Sequence, residues 1–381
     1  MISTTLKKLT LATALAAFSL PAMSQVDQNE LAGQMNVIST AVPFLTISPD
    51  SRAGGMGDVG VATSPDYASQ AWNPAKYAFL DDNIGVSVSY TPWLRKLVDD
   101  INLYYVSGFY RIDKMQSVAA SLRYFSVGSI TYKQSASDTG YEIKPNEFAI
   151  DASYTRLLSD KFSGAVAFRY IRSDLSGGMV ESMEAGNSFA ADVAFFYKTP
   201  IGGKKSGQTL SAGLNISNIG AKISYDGGTN KEFIPTNMKL GAAYSYELDS
   251  YNAVTFAVDF NKLLVPTPSL NVNGQQSYAE ENKDVSVISA MFSSFGDAPG
   301  GMEEEMNEVN VSLGAEYLYN KQFAIRAGYF HEHENKGNRK FMTIGTGLKF
   351  NIFNIDASYI IPVNQNNPLA NTIRFSLAFD I

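Results

Sequence analysis

The sequence predicts an all-β fold, a transmembrane barrel of fourteen antiparallel strands, and three observations support this prediction. Segments of about ten residues with alternating polar and apolar side chains repeat from residue 83 to residue 381, the period of a strand with two unlike faces. The connections between the segments alternate between short and long. Only 18% of the residues are charged, against about 25% in a typical globular chain, while Tyr (21) and Phe (23) are abundant. Outer-membrane barrels combine these properties.

Composition excludes several other classes of protein. The chain contains no cysteine, which excludes a disulfide scaffold, a thiolate metal site and a thiol nucleophile. Its net charge of -7 argues against a nucleic-acid partner. After residue 24, no stretch approaches the roughly 18 consecutive apolar residues of a membrane helix. A soluble β-protein and an outer-membrane barrel remain, and the alternating segments favour the barrel.

Residues 1–24 have the pattern of a secretory signal peptide. Two lysines, at positions 7 and 8, precede an apolar stretch over 9–20, and Ala22 and Ser24 supply the small residues of a cleavage site. A buried N-terminal helix would explain neither the basic start nor the small residues at the end. The sequence therefore predicts export by a Gram-negative cell.

Residues 25–82 do not alternate and are rich in Gly, Pro, Ser and Ala. Their apolar side chains, among them Phe44, Trp72 and Tyr77, are more numerous than a disordered periplasmic tail would carry. A barrel lumen of this size also has to be filled. We therefore predict that this segment is a plug, or hatch, inside a barrel formed by residues 83–381.

One motif in this segment matches the pattern of a dinucleotide-binding site. Residues 55–60 match the pattern G-x-G-x-x-G, but no strand immediately precedes them and an exported chain meets no cytosolic dinucleotide. The glycines are better explained as positions where the backbone turns tightly against the barrel wall.

The alternating segments number fourteen, and an even number suits a bacterial barrel with both termini on the periplasmic side. The last segment shows the pattern clearly, since the apolar Phe375 stands between the polar Arg374 and Ser376. The predicted strands are 84–90, 103–112, 116–126, 147–158, 162–172, 187–198, 208–217, 236–247, 251–262, 307–319, 322–332, 339–350, 353–361 and 371–381.

The lengths of the connections provide an independent test, because outer-membrane barrels alternate short periplasmic turns with long outer loops. The short connections are 113–115, 159–161, 248–250, 320–321 and 351–352, with 199–207 longer but rich in turn residues, and the predicted extracellular loops are 91–102, 127–146, 173–186, 218–235 and 263–306.

The inward faces of the strands carry charges of both signs in equal number. An unpaired Lys or Arg facing hydrocarbon costs about 2–4 kcal/mol at the midplane, so these charges are expected to pair across the lumen or to hydrate it. A selective transport pathway is the alternative. The residues are Arg123, Arg169, Lys239, Arg326, Lys349 and Arg374, and Asp151, Asp192, Asp259, Glu316, Asp356 and Asp380.

Two predicted outer loops contain apolar residues that a solvated loop would not need. In 91–102, the spacing from Leu94 to Ile101 predicts one face of a short helix. A second apolar stripe runs through 263–306. The stripes predict either a cap over the barrel mouth or a docking surface for a partner. The candidate docking residues are Trp93, Leu94, Leu97, Val98, Val285, Ile288, Phe292 and Phe295.

The loop 263–306 is also strongly acidic, with Lys283 as its single basic residue. We expect its acids to face outward into solvent, where they would repel one another, steer a basic partner or bridge divalent ions to lipopolysaccharide. These acids are Glu280, Glu281, Asp284, Asp297, Glu303, Glu304 and Glu305.

Residues 48–58 (SPDSRAGGMGD) and 72–76 (WNPAK) resemble the start of the PorV family, also called LptO. These are outer-membrane components of the type IX secretion system of Bacteroidetes and belong with the FadL-like barrels. The resemblance covers signal, hatch and barrel, although this chain ends in Ile381 where many outer-membrane proteins end in Phe. It identifies as plug-motif residues Ser48, Pro49, Asp50, Arg52, Gly54, Gly55, Gly57, Asp58, Asn73 and Pro74.

The resemblance implies a role that composition does not show. Such a protein would bind the C-terminal domain of secreted cargo and carry it from the secretion translocon to a sortase-like attachment complex at the cell surface, where cargo is joined to lipopolysaccharide. It would need no cofactor, since the chemistry belongs to the protease. The alternative is a FadL-like transporter of long-chain fatty acids or other hydrophobic small molecules, which the same hatch and loops would serve.

Enzyme signals are weak. His331 and His333 are the only histidines, and no nucleophile can be assigned to either. Histidines close to a loop are more often surface residues than metal ligands. The sequence therefore predicts a protein that is not an enzyme and holds no catalytic metal.

Overall fold

The computed structural model describes residues 35–133, 135, 137–179, 183–203, 206–270, 276–277, 284–363 and 368–380. The predicted signal peptide, the acids Glu280 and Glu281, and Lys283 lie outside these residues. Among the described residues, no helix is both long enough and apolar enough to span a membrane.

The described residues before the first strand, 35–83, contain only short helices. Asp50 caps α1, Ser51–Gly54, and three 3-10 turns accompany it at Pro43–Thr46, Ser69–Ala71 and Pro74–Phe79. Prolines open the first and last of these turns, where a missing backbone N–H costs nothing.

The described residues then form fourteen antiparallel strands that close into a barrel, because the first strand pairs with both the second and the last. Each coincides with a predicted segment to within a few residues, so the predicted fold is confirmed. The strands are β1 Ile84–Pro92, β2 Asn102–Arg111, β3 Gln116–Ser126, β4 Asn146–Ser159, β5 Phe162–Asp174, β6 Gly186–Ile201, β7 Gln208–Gly220, β8 Asn237–Glu247, β9 Asn252–Leu263, β10 Asn310–Tyr319, β11 Phe323–His331, β12 Lys340–Phe350, β13 Phe353–Pro362 and β14 Ile373–Asp380.

Alternation gives the wall its two faces. In β14, Arg374 and Ser376 are buried while Ile373 and Phe375 are exposed, and the other strands repeat this pattern. The exposed apolar side chains form the lipid-facing surface of the barrel. The short connections turn on residues with left-handed backbone, such as Asn320 at φ 53°.

The long connections carry structure of their own. Small hairpins pair Ile130–Tyr132 with Tyr141–Ile143, and Ser269–Leu270 with Gln276–Ser277. The loop between β9 and β10 holds α2, Val287–Ser293, and α3, Gly301–Asn307.

The helix predicted in 91–102 is absent, and a single turn stands there instead. The N–H groups of Leu97 and Val98 both donate to the carbonyl of Leu94. Leu94 has φ 52°, a left-handed conformation that a right-handed helix cannot continue, so the prediction was wrong on this point.

The core lies between the plug and the inner wall. Phe44 and Val42 pack on Ile171 and on Ile223 of an outer loop, forming one cluster near the outer end. Other clusters place Met56 against Ala243 and Ala257, and Tyr77 against Phe109. The N-terminal segment thus fills the lumen, as expected of a plug.

Candidate functional site

The two plug motifs, 48–58 and 72–76, contact each other through one carboxylate. Asp50 accepts a hydrogen bond from the N–H of Ala53 at 2.9 Å, which caps α1, and another from the indole Nε1 of Trp72 at 2.5 Å. Asp50 is almost fully buried, and burial raises the pKa of its carboxyl. Residues twenty-two positions apart therefore form a single unit.

Asn73 fixes this unit to the barrel. Its side-chain oxygen accepts from the N–H of Ala75 at 3.0 Å, while Nδ2 donates to the carbonyls of Val61, at 3.1 Å, and Phe195 in β6, at 2.9 Å. The carbonyl of Pro74 accepts from the hydroxyl of Thr155 in the wall at 2.9 Å. One asparagine thus caps a turn, holds the plug together and bonds to the wall.

The plug glycines lie against glycines of the wall. Gly57 has φ 72°, and a Cβ placed on it would stand 2.6 Å from the backbone nitrogen of Tyr329. A Cβ on Gly55 would stand 3.0 Å from the Cα of Gly345. Side chains are excluded at these two positions because two backbones meet there, and at Gly60 a Cβ would stand within 2.8 Å of the Trp72 ring, which explains the G-x-G-x-x-G pattern without a nucleotide.

Ion pairs join the plug to the lumen wall. Arg52 contacts Glu316 at 3.1 Å and Asp66, within the plug, at 2.9 Å. Asp58 contacts Arg374 at 2.9 Å, and Asp259 accepts from the backbone N–H of Gly60 at 2.7 Å. Charges from the wall therefore hold residues of the plug.

Most of the predicted inward charges have partners of opposite sign. Arg169 contacts Asp151 at 3.1 Å and Asp192 at 3.0 Å, and Arg326 contacts Glu316 and Asp356. Lys349 lines a cavity at the periplasmic end, and the side chain of Asp380 lies outside the described atoms.

Arg123 and Lys239 differ from the other inward cations. Arg123 donates to the carbonyl of Leu45 at 2.6 Å, and the Nζ of Lys239 stands 4.5 Å from the ring centre of Trp72. Within the part of the chain that the structure describes, neither cation forms an ion pair with a carboxylate.

Lys76, the last residue of the second motif, holds a turn of the plug in place. It is fully buried, and its Nζ donates to the carbonyl of Gly60 at 2.8 Å and to the hydroxyl of Thr63 at 3.1 Å. Burial lowers the pKa of its ammonium. The ammonium holds the 60–63 turn of the plug in place.

Two cavities lie on opposite sides of the plug. The outer one, about 440 Å³, reaches Pro49, Trp93 and both Arg123 and Lys239. The inner one, about 300 Å³, is lined by Arg52 and other plug residues together with the periplasmic ends of the last strands. The segment containing α1 separates them.

The candidate docking residues of 91–102 divide into two groups. Trp93 and Leu94 are half-buried and pack against an apolar cluster that contains Phe330, Phe341, Ile360 and Leu369 at the barrel mouth. Leu97 and Val98 are exposed. The structure therefore places the first pair as part of a cap and leaves the second pair free on the surface.

The candidate residues of 263–306 lie on and beside α2. Ser286 caps this helix, Val285 is half-buried, and Ile288 and Phe292 are exposed, with 76% of Phe292 accessible. Phe295 follows the helix and is also exposed.

The expectation that the acids of this loop all face solvent was wrong for Glu304 and Glu305. Both are buried, because lysines outside the loop reach them. Lys262 contacts Glu305 at 2.9 Å, and Lys336 contacts Glu304 at 2.6 Å. Glu308, which the sequence reading did not single out, receives both lysines. The spacing along the chain gave no signal for this network.

The N-terminal segment reaches the outer rim. The N–H of Asn36 donates to the carbonyl of Asn335 at 2.8 Å, and its Nδ2 donates to Glu304 at 2.8 Å. The N–H of Ala41 donates to the carbonyl of Phe233 in the loop 218–235. The chain therefore runs from the outer mouth down through the lumen before it enters β1.

His331 and His333 lie close to the outer end of β11. The Nδ1 of His333 accepts from the N–H of Asn335 at 3.3 Å, which caps a short turn. Over the described ranges, no group of three or more His, Cys, Asp or Glu is arranged to hold a metal ion.

Comparison with solved structures finds barrels of similar fold. The TodX deltaS2S3 mutant monoaromatic hydrocarbon channel matches with a TM-score of 0.51 and 12% identity, over 87% of this chain and 99% of that one. The Pseudomonas putida toluene transporter TodX (TM-score 0.49, 12% identity, 91% and 98% covered) and a Pseudomonas aeruginosa FadL homologue (0.46, 12%, 91% and 99%) are also similar. At such identities the first match shows the fold alone.

Comparison of sequences is more specific. No curated protein matches the chain. The family described as type IX secretion system protein PorV matches residues 30–270, which is more than half of the chain and includes both plug motifs. This barrel therefore belongs to the PorV family of type IX secretion system proteins.

Proposed function

We propose that this outer-membrane component binds the C-terminal domain of secreted cargo at its outer rim and shuttles it from the translocon to the sortase-like attachment complex. The observation that carries the proposal is the set of exposed apolar side chains on two outer loops, Leu97 and Val98 on one, Ile288 and Phe292 on the other. Exposed apolar groups of this kind mark partner sites. Family membership supplies the secretion context.

The plug supports binding at the rim rather than passage through the lumen. A protein segment moving through the barrel would have to break the pairs Arg52–Glu316 and Asp58–Arg374, and the backbone bonds that Asp259 accepts. Breaking a buried pair by removing one partner costs about 3–5 kcal/mol. A partner that docks on the loops breaks none of them.

Substitution on α2 tests the docking surface. In the double variant Ile288→Asp/Phe292→Asp, we expect recovery of the full-length barrel on an immobilised cargo C-terminal domain to fall roughly tenfold or more, the effect of removing a buried apolar anchor. The matched control is Leu248→Asp/Ile352→Asp, which makes the same change at two exposed residues of periplasmic turns. Equal recovery of both variants from folded barrels would overturn the proposal.

The transporter alternative has one specific observation in its favour. The outer cavity, about 440 Å³, contains Arg123 and Lys239, two cations able to receive a carboxylate. A long-chain fatty acid would then bind the purified barrel saturably, and Arg123→Met/Lys239→Met would abolish that binding. Fatty-acid binding with no capture of cargo would favour the transporter over the shuttle.

A further inference from the structure

Helix α3 buries charged side chains and exposes apolar ones, the reverse of a surface helix in water. Two of its three acids, Glu304 and Glu305, are buried, whereas 72% of Met302 and 69% of Met306 are exposed, with Glu303 exposed beside them. A surface helix of a soluble protein buries its apolar stripe and exposes its charges. The outward side of α3, two methionines beside Glu303, therefore fits a boundary between apolar and polar surroundings, and the inward side fits a polar one.

The inward side is polar because it lies on a network of charges at the rim. Lys262, Lys336, Glu304, Glu305 and Glu308 contact one another at distances of 2.5–2.9 Å. Every charge in the network has an opposite partner, which is the condition for burying charge without a large penalty. These contacts fix the rotation of α3 and hold its methionines outward.

The network also places α3 toward the outside of the barrel. In β9, Asp259 and Asn261 face the lumen, since the first binds the plug and the second lines the outer cavity. Alternation then points Phe260 and Lys262 away from the lumen. Because Lys262 binds Glu305, α3 sits against the membrane-facing side of the rim.

An apolar groove lies between α3 and the wall. It encloses about 310 Å³. Its floor contains Leu240 and Phe260, which are paired across β8 and β9 and belong to the lipid-facing surface. Its outer edge is formed by loop residues, namely Phe295, Met302 and Met306.

We propose that this groove holds an acyl chain of a lipid in the outer leaflet, so that α3 rests at the boundary between headgroups and chains. The floor is continuous with the surface that already contacts lipid, so an acyl chain can enter from the bilayer without leaving apolar surroundings. Methionine side chains are flexible and adapt to a chain of irregular shape. Interfacial helices bury their apolar side in this way. The proposal concerns the membrane and goes beyond the capture of cargo.

Photolabelling from the bilayer tests the groove. The full-length barrel is reconstituted in phosphatidylcholine bilayers that contain a lipid with a diazirine in its acyl chain, irradiated, and digested for mass spectrometry. We expect adducts on Met302, Met306 and Phe295. Phe168, an exposed residue within β5, is the positive control, and Leu97, an equally exposed residue of another outer loop, is the negative control.

A matched variant gives the same test a second readout. In Met302→Gln/Met306→Gln, labelling of Phe295 falls severalfold while labelling of Phe168 is unchanged, because only the groove becomes polar. The proposal is overturned if Met302 and Met306 stay unlabelled beside a labelled Phe168, or if they are labelled no more than Leu97. It is also overturned if the variant loses cargo capture but keeps its lipid adducts, since the groove would then receive a protein.

Discussion

The plug and the loop between β9 and β10 use the same kinds of side chain in opposite ways. In the plug, Asp50, Arg52 and Asn73 direct their polar groups toward the chain itself or the wall, and almost nothing is left exposed. In the loop, charged side chains such as Glu305 form ion pairs on one side only, and Phe292 and Met302 are exposed on the other. The difference shows which region closes the lumen and which region makes contacts. The plug, whose groups are mostly buried, closes the lumen, whereas the loop keeps apolar side chains exposed for contacts.

The largest expected effect is labelling from outside the cell at residue 35, where the plug meets the outer loops, and this labelling is all-or-none. Met35 is 69% exposed, next to Asn36, which is bonded to the outer loops. The natural chain has no cysteine, so Met35→Cys gives a single thiol. We expect a membrane-impermeant maleimide to label it on intact cells.

Met115→Cys, an exposed residue of the first periplasmic turn, is the matched control and should react only after permeabilisation. The reverse result, with Met115→Cys labelled on intact cells and Met35→Cys protected, would show that the loops assigned to the outside lie in the periplasm.

The next effect concerns the stability of the plug against the barrel wall. Gly57→Ala combines a left-handed residue with a Cβ 2.6 Å from the nitrogen of Tyr329, and we expect a loss of roughly 2–5 kcal/mol in the free energy of plug unfolding. Urea titration followed by the fluorescence of Trp72, in a Trp93→Phe background, measures it.

Gly227→Ala separates the two causes. Gly227 also has a left-handed φ of 68°, but a Cβ there meets nothing within 4 Å, so only about 1–2 kcal/mol is expected. Equal losses in the two variants would mean that the close approach of plug and wall contributes nothing.

The smallest effect concerns the loop and depends on pH. Burial, with a contribution from the neighbouring Glu305, raises the pKa of Asp297 from 3.8 to about 6. The folded loop therefore binds a proton more tightly than the open loop. The contribution of Asp297 to closure is therefore full below about pH 4 and is lost as the pH rises through 6.

Hydrogen exchange over residues 284–309 between pH 4 and 7, corrected for intrinsic rates, measures this change. We expect a severalfold increase in opening for the natural chain and a flat profile for Asp297→Asn. Asp284→Asn, at an exposed acid of the same loop, should leave the pH dependence intact. A pH dependence that persists in Asp297→Asn would assign it to another group.

Much of the fold was predictable because its signals are local. Alternation within β14, around Phe375, is visible in any window of ten residues, and it located the strands correctly. The plug was predictable as a segment, because the residues before β1 depart from the alternating pattern, although the predicted start at residue 25 lies outside the described residues. The helix expected at 91–102 failed because apolar spacing does not report that Leu94 adopts a left-handed conformation.

The partners of the charges could not be predicted. Lys262 and Glu305 are 43 residues apart, and Asn36 and Glu304 are 268 apart, so no spacing rule connects them. The rule that charges face outward also assumes that no buried partner reaches them. Lys262 and Lys336 are such partners, which is why Glu304 and Glu305 were placed on the wrong side.

The path of residues 36–41 constrains the order of assembly. These residues bond to outer loops, while the chain that follows crosses the lumen and continues directly into β1, which closes the barrel against β14. A closed cylinder offers this segment no way in from the side. Once the β1–β14 seam is closed, the segment can therefore enter the lumen only through an open end, whereas before closure it can pack against the wall from the side.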